Sequence, residues 1–371
     1  MQSRAGAGQA RYWLGLHPAV LSVSTFNFTL FLAWQISVPV VPLLALSLNA
    51  SPFAVGMVVG SKAILPMLLA VPTGRLADRL PARGLQVSAA LTMLAATALM
   101  WKAGSVLAMM VGQALIGLSV TVASVAGQAF IALATDRRER DAMYGRYTFI
   151  IALDNVLGPA LGGLLAGWGG PRAGMLVASG FALASLPLAM WLPGERGAVA
   201  QRRPAQGRSS LELLRTPVVL FSLVAGFLFL FGYSLQASYY VVYLNHVGFD
   251  SRTIGLLLAV GGAATISIRP LLAWAAARVG RPRLLTVICV TLGVGLGLIP
   301  MAAGVVVGQA GLAIVTGLAY GLSQPLTITM ISHAAPPESL GLAFGWRQIF
   351  QRAAELVGPL SIGLVVIAAG L

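Results

Sequence analysis

The chain has 371 residues, of which 58% are hydrophobic and only 9% charged, against roughly 45–50% and 25% in soluble domains; a mean hydropathy of +0.87 excludes a water-soluble fold. The net charge of +14 does not point to nucleic acid, because the arginines sit at the ends of apolar runs rather than along one polar face. Cys289 is the single cysteine, and the three histidines (His17, His246, His333) fall near the ends of predicted helices; with no H-E-x-x-H, P-loop or Cys/His cluster, no enzyme, ATP-driven pump, metal site or cofactor is expected.

In chain order, a short basic tail carrying Arg4 and Arg11 precedes helix 1, expected over 17–46, which turns at Asn49-Ala50-Ser51-Pro52. Helix 2 is expected over 53–74 and helix 3 over 84–101, with Gly74-Arg75-Leu76-Ala77-Asp78-Arg79-Leu80-Pro81-Ala82-Arg83 as a basic hinge between them. Helix 4 covers 104–134, and Asp136-Arg137-Arg138-Glu139-Arg140-Asp141 forms a charged turn. Helix 5 covers 142–168, Trp168-Gly169-Gly170-Pro171-Arg172 breaks it, and helix 6 covers 173–192. Residues 194–215, rich in Arg, Pro, Gly and Ser, are a linker. Helices 7 to 11 follow at about 216–246, 252–276, 283–301, 304–334 and 339–370. The expected fold is an all-α integral membrane protein: a six-helix bundle in 1–193, the linker, and a bundle of about five helices in 216–371.

Lysine and arginine set the orientation. A cytoplasmic N-terminus puts two in the tail, three in the 2–3 hinge, four around the 4–5 turn, five in the linker and three in the 8–9 turn. The other side receives Lys102, Arg172 and Arg252 alone, a strong positive-inside bias. The chain also repeats. The hinge is echoed at Arg278-Val279-Gly280-Arg281-Pro282-Arg283, and at an offset of 200 Gly117 matches Gly317, Gly145 matches Gly345, and Gly158-Pro159 matches Gly358-Pro359. Helices 1–5 thus correspond to helices 7–11, with no counterpart of helix 6, so a twelfth helix is missing from the pattern.

With these features the chain resembles the major facilitator superfamily, and within it the proton-antiporter efflux branch. The hinge motif G-x-L-A-D-R-x-G-x-[RK] is met by Gly74, Leu76, Ala77, Asp78, Arg79 and Arg83, with Pro81 in place of the second glycine. The helix-5 motif ending G-P-x-x-G-G is met by Gly158, Pro159, Gly162 and Gly163. Gln113 stands where the branch carries a helix-4 arginine, four residues before Gly117. The resemblance implies alternating access between two bundles around a central cavity. It implies a monomeric secondary transporter in a prokaryotic cytoplasmic membrane, taking a small-molecule substrate, with protons as coupling ion and the lipid bilayer as its only other partner.

From these motifs Gly74, Asp78, Arg79 and Arg83 are expected to form a gate. Asp78 would meet the N-terminal end of helix 11 near Pro337-Glu338-Ser339, and the arginines would pair with Asp136, Glu139 or Asp141. Gly158, Pro159, Gly162 and Gly163 read as a helix-packing face. Asp154 occupies a glycine place of the motif near the bilayer centre, where a carboxylate must be protonated, paired or hydrated. It is the first proton-coupling candidate, and a buried pair with Arg146 or Lys62 is the structural alternative. Glu355 is the second candidate, three residues from Arg352 and able to neutralise it. Lys62, near the midplane, would hold an anion or neutralise Asp154. Arg269 and Arg347 are expected to snorkel. By the resemblance, helices 1, 4, 7 and 10 line the cavity, which makes Asn27, Trp34, Gln35, Gln113, Tyr233, Gln236, Tyr239, Tyr240 and Gln324, with Lys62 and Arg352, substrate-binding candidates. The leading expectation is a proton-coupled exporter of a small organic or amphiphilic compound. The alternatives are a carrier of an anionic metabolite in either direction, and a non-transporting sensor or assembly partner on a decayed carrier fold.

Overall fold

Where water is absent, backbone polar groups must be satisfied within their own segment, so long apolar runs become helices. The structure is a computed structural model that describes residues 18–134, 140–192, 214–334 and 340–368. Among the described residues there are eleven helical rods. Rod α1 is Pro18–Ser47. Rod α2 is Pro52–Gly60 and Ile64–Arg79, joined by a 3-10 turn at Ser61–Ala63. Rods α3 and α4 are Ala82–Trp101 and Val106–Ala134. Rod α5 starts at Arg140–Ala152 and runs on into Asp154–Met190, a helix divided at Gly170 (φ 76, ψ 173); α5 ends there and α6 takes the remainder. Rod α7 is Pro217–Leu235, a π turn at Gln236–Tyr240, and Val241–His246. Rod α8 is Ser251–Ser267 and Leu272–Val279 around a 3-10 turn at Arg269–Leu271. Rods α9, α10 and α11 are Arg281–Gly297, Val306–Ala334 and Leu340–Ala368.

Among the described residues, eight helical stretches are long and apolar enough to cross a membrane. One of them, Phe149–Met190, is 42 residues long and contains the Gly170 break, so it amounts to two crossings. Apolar side chains such as Leu68, Leu107 and Val307 face outward from the rods, as a lipid surround requires. Aromatic rings with cations at their faces sit at rod ends: Lys102 over Trp101, Arg252 over Trp168, and Arg278 over Trp274 at 5.1 Å. This is the pairing expected at a membrane–water boundary.

The two hinges turn by different means. After Arg79 the chain needs only Leu80 and Pro81, the latter extended at φ −62, before α3 begins. The second hinge turns on Gly280 at φ 82, a left-handed conformation that favours glycine. Pro81 therefore replaces the motif's glycine where no left-handed residue is required. Gly74, Asp78 and Arg79 fall among the residues whose surroundings are not described, as do Asp136, Glu139, Asp141 and Glu338; Arg83 is exposed.

In the first bundle α1 lies along α5 and α6, and α3 packs on α4. In the second, α7 packs on α11, and α10 packs on α8 and α9. The repeat is visible in the packing. A Cβ on Gly117 of α4 would run into the Lys62 carbonyl of α2, and one on Gly317 of α10 into the Gly261 carbonyl of α8. The α2 and α8 starts are capped alike, by Ser51 Oγ accepting from Ala54 N–H and Asp250 Oδ1 accepting from Thr253 N–H. Hydrogen bonding by Thr253 holds the Asp250 carboxyl below the usual carboxylate range.

Between the bundles, α8 meets α5 and α11 meets α2. The first bundle's hydrophobic core continues into Val241, Leu244, Ile254 and Leu257 at the ends of α7 and α8 far from the arginine hinges. The bundles are thus sealed together on that far half.

Candidate functional site

Between the two bundles lies a cavity of about 90 Å³. Gln35 of α1 and Asn155 and Pro159 of α5 line one side of it. Tyr233 and Gln236 of α7, Thr265 of α8, and Thr316 and Tyr320 of α10 line the other. Gln35 Nε2 donates to Asn155 Oδ1 at 2.5 Å, while the Gln35 Oε1 is buried without a partner. Tyr233 and Tyr320 meet edge to face with centroids 5.4 Å apart, and the Tyr320 hydroxyl has no partner. Gln236 Nε2 lies 3.4 Å from Thr316 Oγ1. Aromatic walls with a few underused amides and hydroxyls suit a small organic molecule.

The other expected cavity residues divide. Asn27 is fully buried inside the first bundle, its Nδ2 donating to Tyr147 Oη at 3.0 Å. Gln113 is buried on α4 with its Oε1 unpartnered. Tyr240 joins the hydrophobic core. Tyr239 belongs to the seal, its hydroxyl 3.0 Å from the Pro52 carbonyl and 2.9 Å from that of Pro359. None of these four lines the cavity. The π turn explains the split in α7: an extra residue within the turn sits among neighbours that face different ways, with Gln236 on the cavity and Tyr239 on the seam.

Charged residues gather beside the cavity at the α2/α11 contact. Arg352 Nη1 and Glu355 Oε2 pair at 2.7 Å, the partnership expected from their spacing. Lys62, on the 3-10 turn of α2, holds its Nζ 5.3 Å from the Trp34 ring centroid. It is also within electrostatic range of Glu355 and Arg352, and Tyr233 is within range of Glu355.

Asp154 stands apart from this cluster. It is 1% exposed, one residue before Asn155, and neither carboxylate oxygen has a hydrogen-bond partner. The expected pairing with Lys62 is not made: Lys62 turns instead to Trp34 and the α11 pair. Nor is the alternative pairing with the exposed Arg146 made, since both Asp154 oxygens are without a hydrogen-bond partner. The glycines of α5 behave as a packing face. Gly158 meets the Gln35 side chain, and Gly162 meets the Ile36 carbonyl and Pro39. A Cβ on Gly163 would lie 2.6 Å from the Gly255 α-carbon.

Sequence reasoning missed Arg347. It does not snorkel but is 9% exposed, its Nη2 donating to Gln324 Oε1, which also accepts from Gln351 Nε2 at 3.0 Å. Gln324 is thereby tied to α11 and is absent from the cavity wall. The signal was available: Arg347, Gln351 and Glu355 recur every four residues on one face of α11. Arg269 is exposed, on the 3-10 turn that interrupts α8.

Two helix bundles meeting across a central polar and aromatic cavity, with unmatched ionisable groups in their membrane-spanning segments, define a membrane carrier. The family model of the Major Facilitator Superfamily matches residues 23–359, and the chain belongs to that family of transporters rather than to any enzyme class. A similar protein is Multidrug resistance protein 2 of Bacillus subtilis (strain 168), 22% identical over 351 residues, covering 91% of this chain and 86% of its own length. Among solved structures, the nucleoside transporter NupG superposes with a TM-score of 0.78 at 12% identity, covering 94% of this chain and 91% of that one. A bacterial homolog of the human lysosomal transporter Spinster, inward-facing and unoccupied, gives 0.76 at 15% identity over 94% and 82%. A POT family transporter in complex with a thioalcohol-conjugated peptide gives 0.78 at 10% identity over 97% and 93%. These likenesses establish the fold. The chain is a multi-pass membrane protein of a transporter family that handles small molecules.

Proposed function

We propose that this chain is a secondary active transporter that exchanges protons for a small organic or amphiphilic compound, moved outward by alternating access. It acts as a monomer in the cytoplasmic membrane of a prokaryote, with its N-terminus on the cytoplasmic side, where the arginine-rich turns collect. The observation that carries the reading is Asp154. A carboxyl buried in a membrane-spanning rod, without a hydrogen-bond partner and beside a residue of the cavity wall, is costly to keep charged. It has a role if it takes a proton in one state of the carrier and releases it in another. Glu355 is the lesser candidate, because Arg352 already matches its charge. Asp78, Arg79 and Arg83 act in this reading as the hinge-side latch, closing the half opposite the seal. The cavity supplies a site for the compound through Gln35, Tyr233 and Gln236; Trp34 and Lys62 meet each other but are not among its lining residues. The name of the Bacillus relative supports the outward direction.

The test is proton movement in liposomes holding the purified protein, with a panel of anionic and cationic amphiphiles under an imposed pH gradient. Wild type should show a compound-driven proton flux that Asp154→Asn loses. A compound that moves equally in both without protons would make Asp154 structural and the carrier a facilitator. A second reading, a carrier of an anionic metabolite, has its own support in Lys62 and Arg352, which face one carboxylate, Glu355, and leave one positive charge in excess.

A further inference from the structure

Among the described residues, three cations in the rods are buried or half-buried, Lys62, Arg347 and Arg352, while Arg146 and Arg269 are exposed. Two are met by a charged or aromatic group: Arg352 pairs with Glu355, and Lys62 lies over the Trp34 ring within electrostatic range of the same carboxylate. The third, Arg347, is not. It is 9% exposed, and no carboxylate of the described residues pairs with it. Its hydrogen-bond partner is the neutral amide oxygen Gln324 Oε1, which it shares with Gln351 Nε2, and its own Nε has no partner at all. Arg347 lies seven residues into α11, roughly 10 Å along the rod. A charge held there without a counter-charge is strongly unfavourable.

We propose that Arg347 and Gln351 of α11, steadied by Gln324 of α10, form an anion-recognition site that receives the carboxylate, sulfonate or phosphate group of the transported compound. This rests on the transport reading above and narrows its substrate to molecules with an anionic group. The chemistry favours it in three ways. A guanidinium presents a fork of donors matched to planar or tetrahedral oxyanions. The site is rich in donors and poor in acceptors: one amide oxygen faces the donors of Arg347 and Gln351. Gln351 lies four residues beyond Arg347 and only 6% exposed, so both present donors on one face. The repeat sharpens the contrast. At the offset of 200 the first bundle has Tyr147, whose hydroxyl accepts from Asn27, a neutral contact in the place where the second bundle keeps a charge.

The experiment is equilibrium dialysis of the full-length purified chain with radiolabelled benzoate, and with benzylamine as the cationic counterpart of the same size. Wild type is expected to bind benzoate at least tenfold more tightly than benzylamine. R347Q should weaken benzoate at least tenfold, R347K should restore part of the loss, and R269Q, which removes an exposed cation of α8, should stay within twofold of wild type. Loss of binding in R347Q alone does not separate a lost site from a misfolded chain, so Q324E is the second variant. It gives Arg347 a carboxylate from within the protein, so it should raise the thermal midpoint while abolishing benzoate binding. Benzoate binding that survives in both R347Q and Q324E, or that is absent from wild type, overturns the proposal. Liposomes that show no compound-driven proton flux while wild type still binds benzoate through Arg347 would fail the proton-exchange reading and leave the anion site standing.

Discussion

The two seams between the bundles are related by the repeat and built from opposite chemistry. At the α5/α8 seam backbone lies on backbone. Gly163 and Gly255 face each other so closely that a Cβ on either would come within 2.7 Å of the other's α-carbon, and a Cβ on Gly262 would strike the Asn155 carbonyl. At the α2/α11 seam Gly56 and Gly60 also approach Pro359 and Leu356, but polar groups take part: the Tyr239 hydroxyl reaches both Pro52 and Pro359, and Lys62 faces Glu355 and Arg352. The offset of 200 makes Gly262 the mate of Lys62, and Asn155 the mate of Glu355. One seam therefore holds mainly by close backbone fit, with Arg252 over the Trp168 ring at its rim. The other adds charge and hydrogen bonds, which under the proposed alternating access are the contacts to be exchanged. The lesson is that a duplicated scaffold becomes a device when the copies diverge at equivalent contacts.

The contrast can be broken most severely at the tight seam. Gly163→Val and Gly255→Val place side chains against backbone atoms that cannot swing aside. Either should leave less than a tenth of wild-type transport, measured in liposomes at equal protein content. Near-normal flux would show that the bundles do not need this contact. At the polar seam the effects are smaller and pairwise. Lys62→Gln and Glu355→Gln should each destabilise, and the double variant should recover part of the loss, with a coupling energy of about 1–3 kcal/mol in a double-mutant cycle. Strict additivity would mean that the two charges do not interact. Tyr239→Phe removes one hydroxyl that serves two carbonyls and should cost about 1 kcal/mol, read as a lower unfolding midpoint without loss of insertion. The smallest effect is at the rim of α8. Asp250→Ala removes the cap on Thr253 and should cost about 1 kcal/mol. The Asp250 carboxyl is held below its ordinary range in the folded protein. Its contribution is therefore present above the unfolded-state value of about 4 and fades as pH falls through the lower folded value. The alanine variant should lose that acid-side dependence, and an unchanged acid limb would remove the cap from the account.

Much of this was legible in the sequence because membrane helices announce themselves. The apolar runs between arginine clusters gave rods α1 to α11 within a few residues, and the glycines at 158, 162 and 163 declared a close-packed face that α1 and α8 occupy. The Arg352–Glu355 pair followed from its spacing. What stayed hidden is what depends on the phase of a broken helix. The 3-10 turn at Ser61–Ala63 and the π turn at Gln236–Tyr240 rotate the residues beyond them, and no residue type in those turns forces the change. Hence Lys62 turned to Trp34 and not to Asp154, and Tyr239 went to the seal and not to the cavity. Arg347 was misjudged for a related reason: distance from a helix end suggests an arginine that reaches for water, but Gln324 on the neighbouring rod draws it inward.

The central claim is that a proton on Asp154 biases the rocking of the two bundles. The direct measurement is a spin-label distance between Ser47→Cys at the far end of α1 and Asn245→Cys at the far end of α7, both exposed, in a background carrying Cys289→Ser. The account expects two distance populations, one short as in the sealed structure and one longer. Their ratio should change with pH in the wild-type background and stay fixed when Asp154→Asn is added. A single distance at every pH, or a pH response that survives Asp154→Asn, would contradict it.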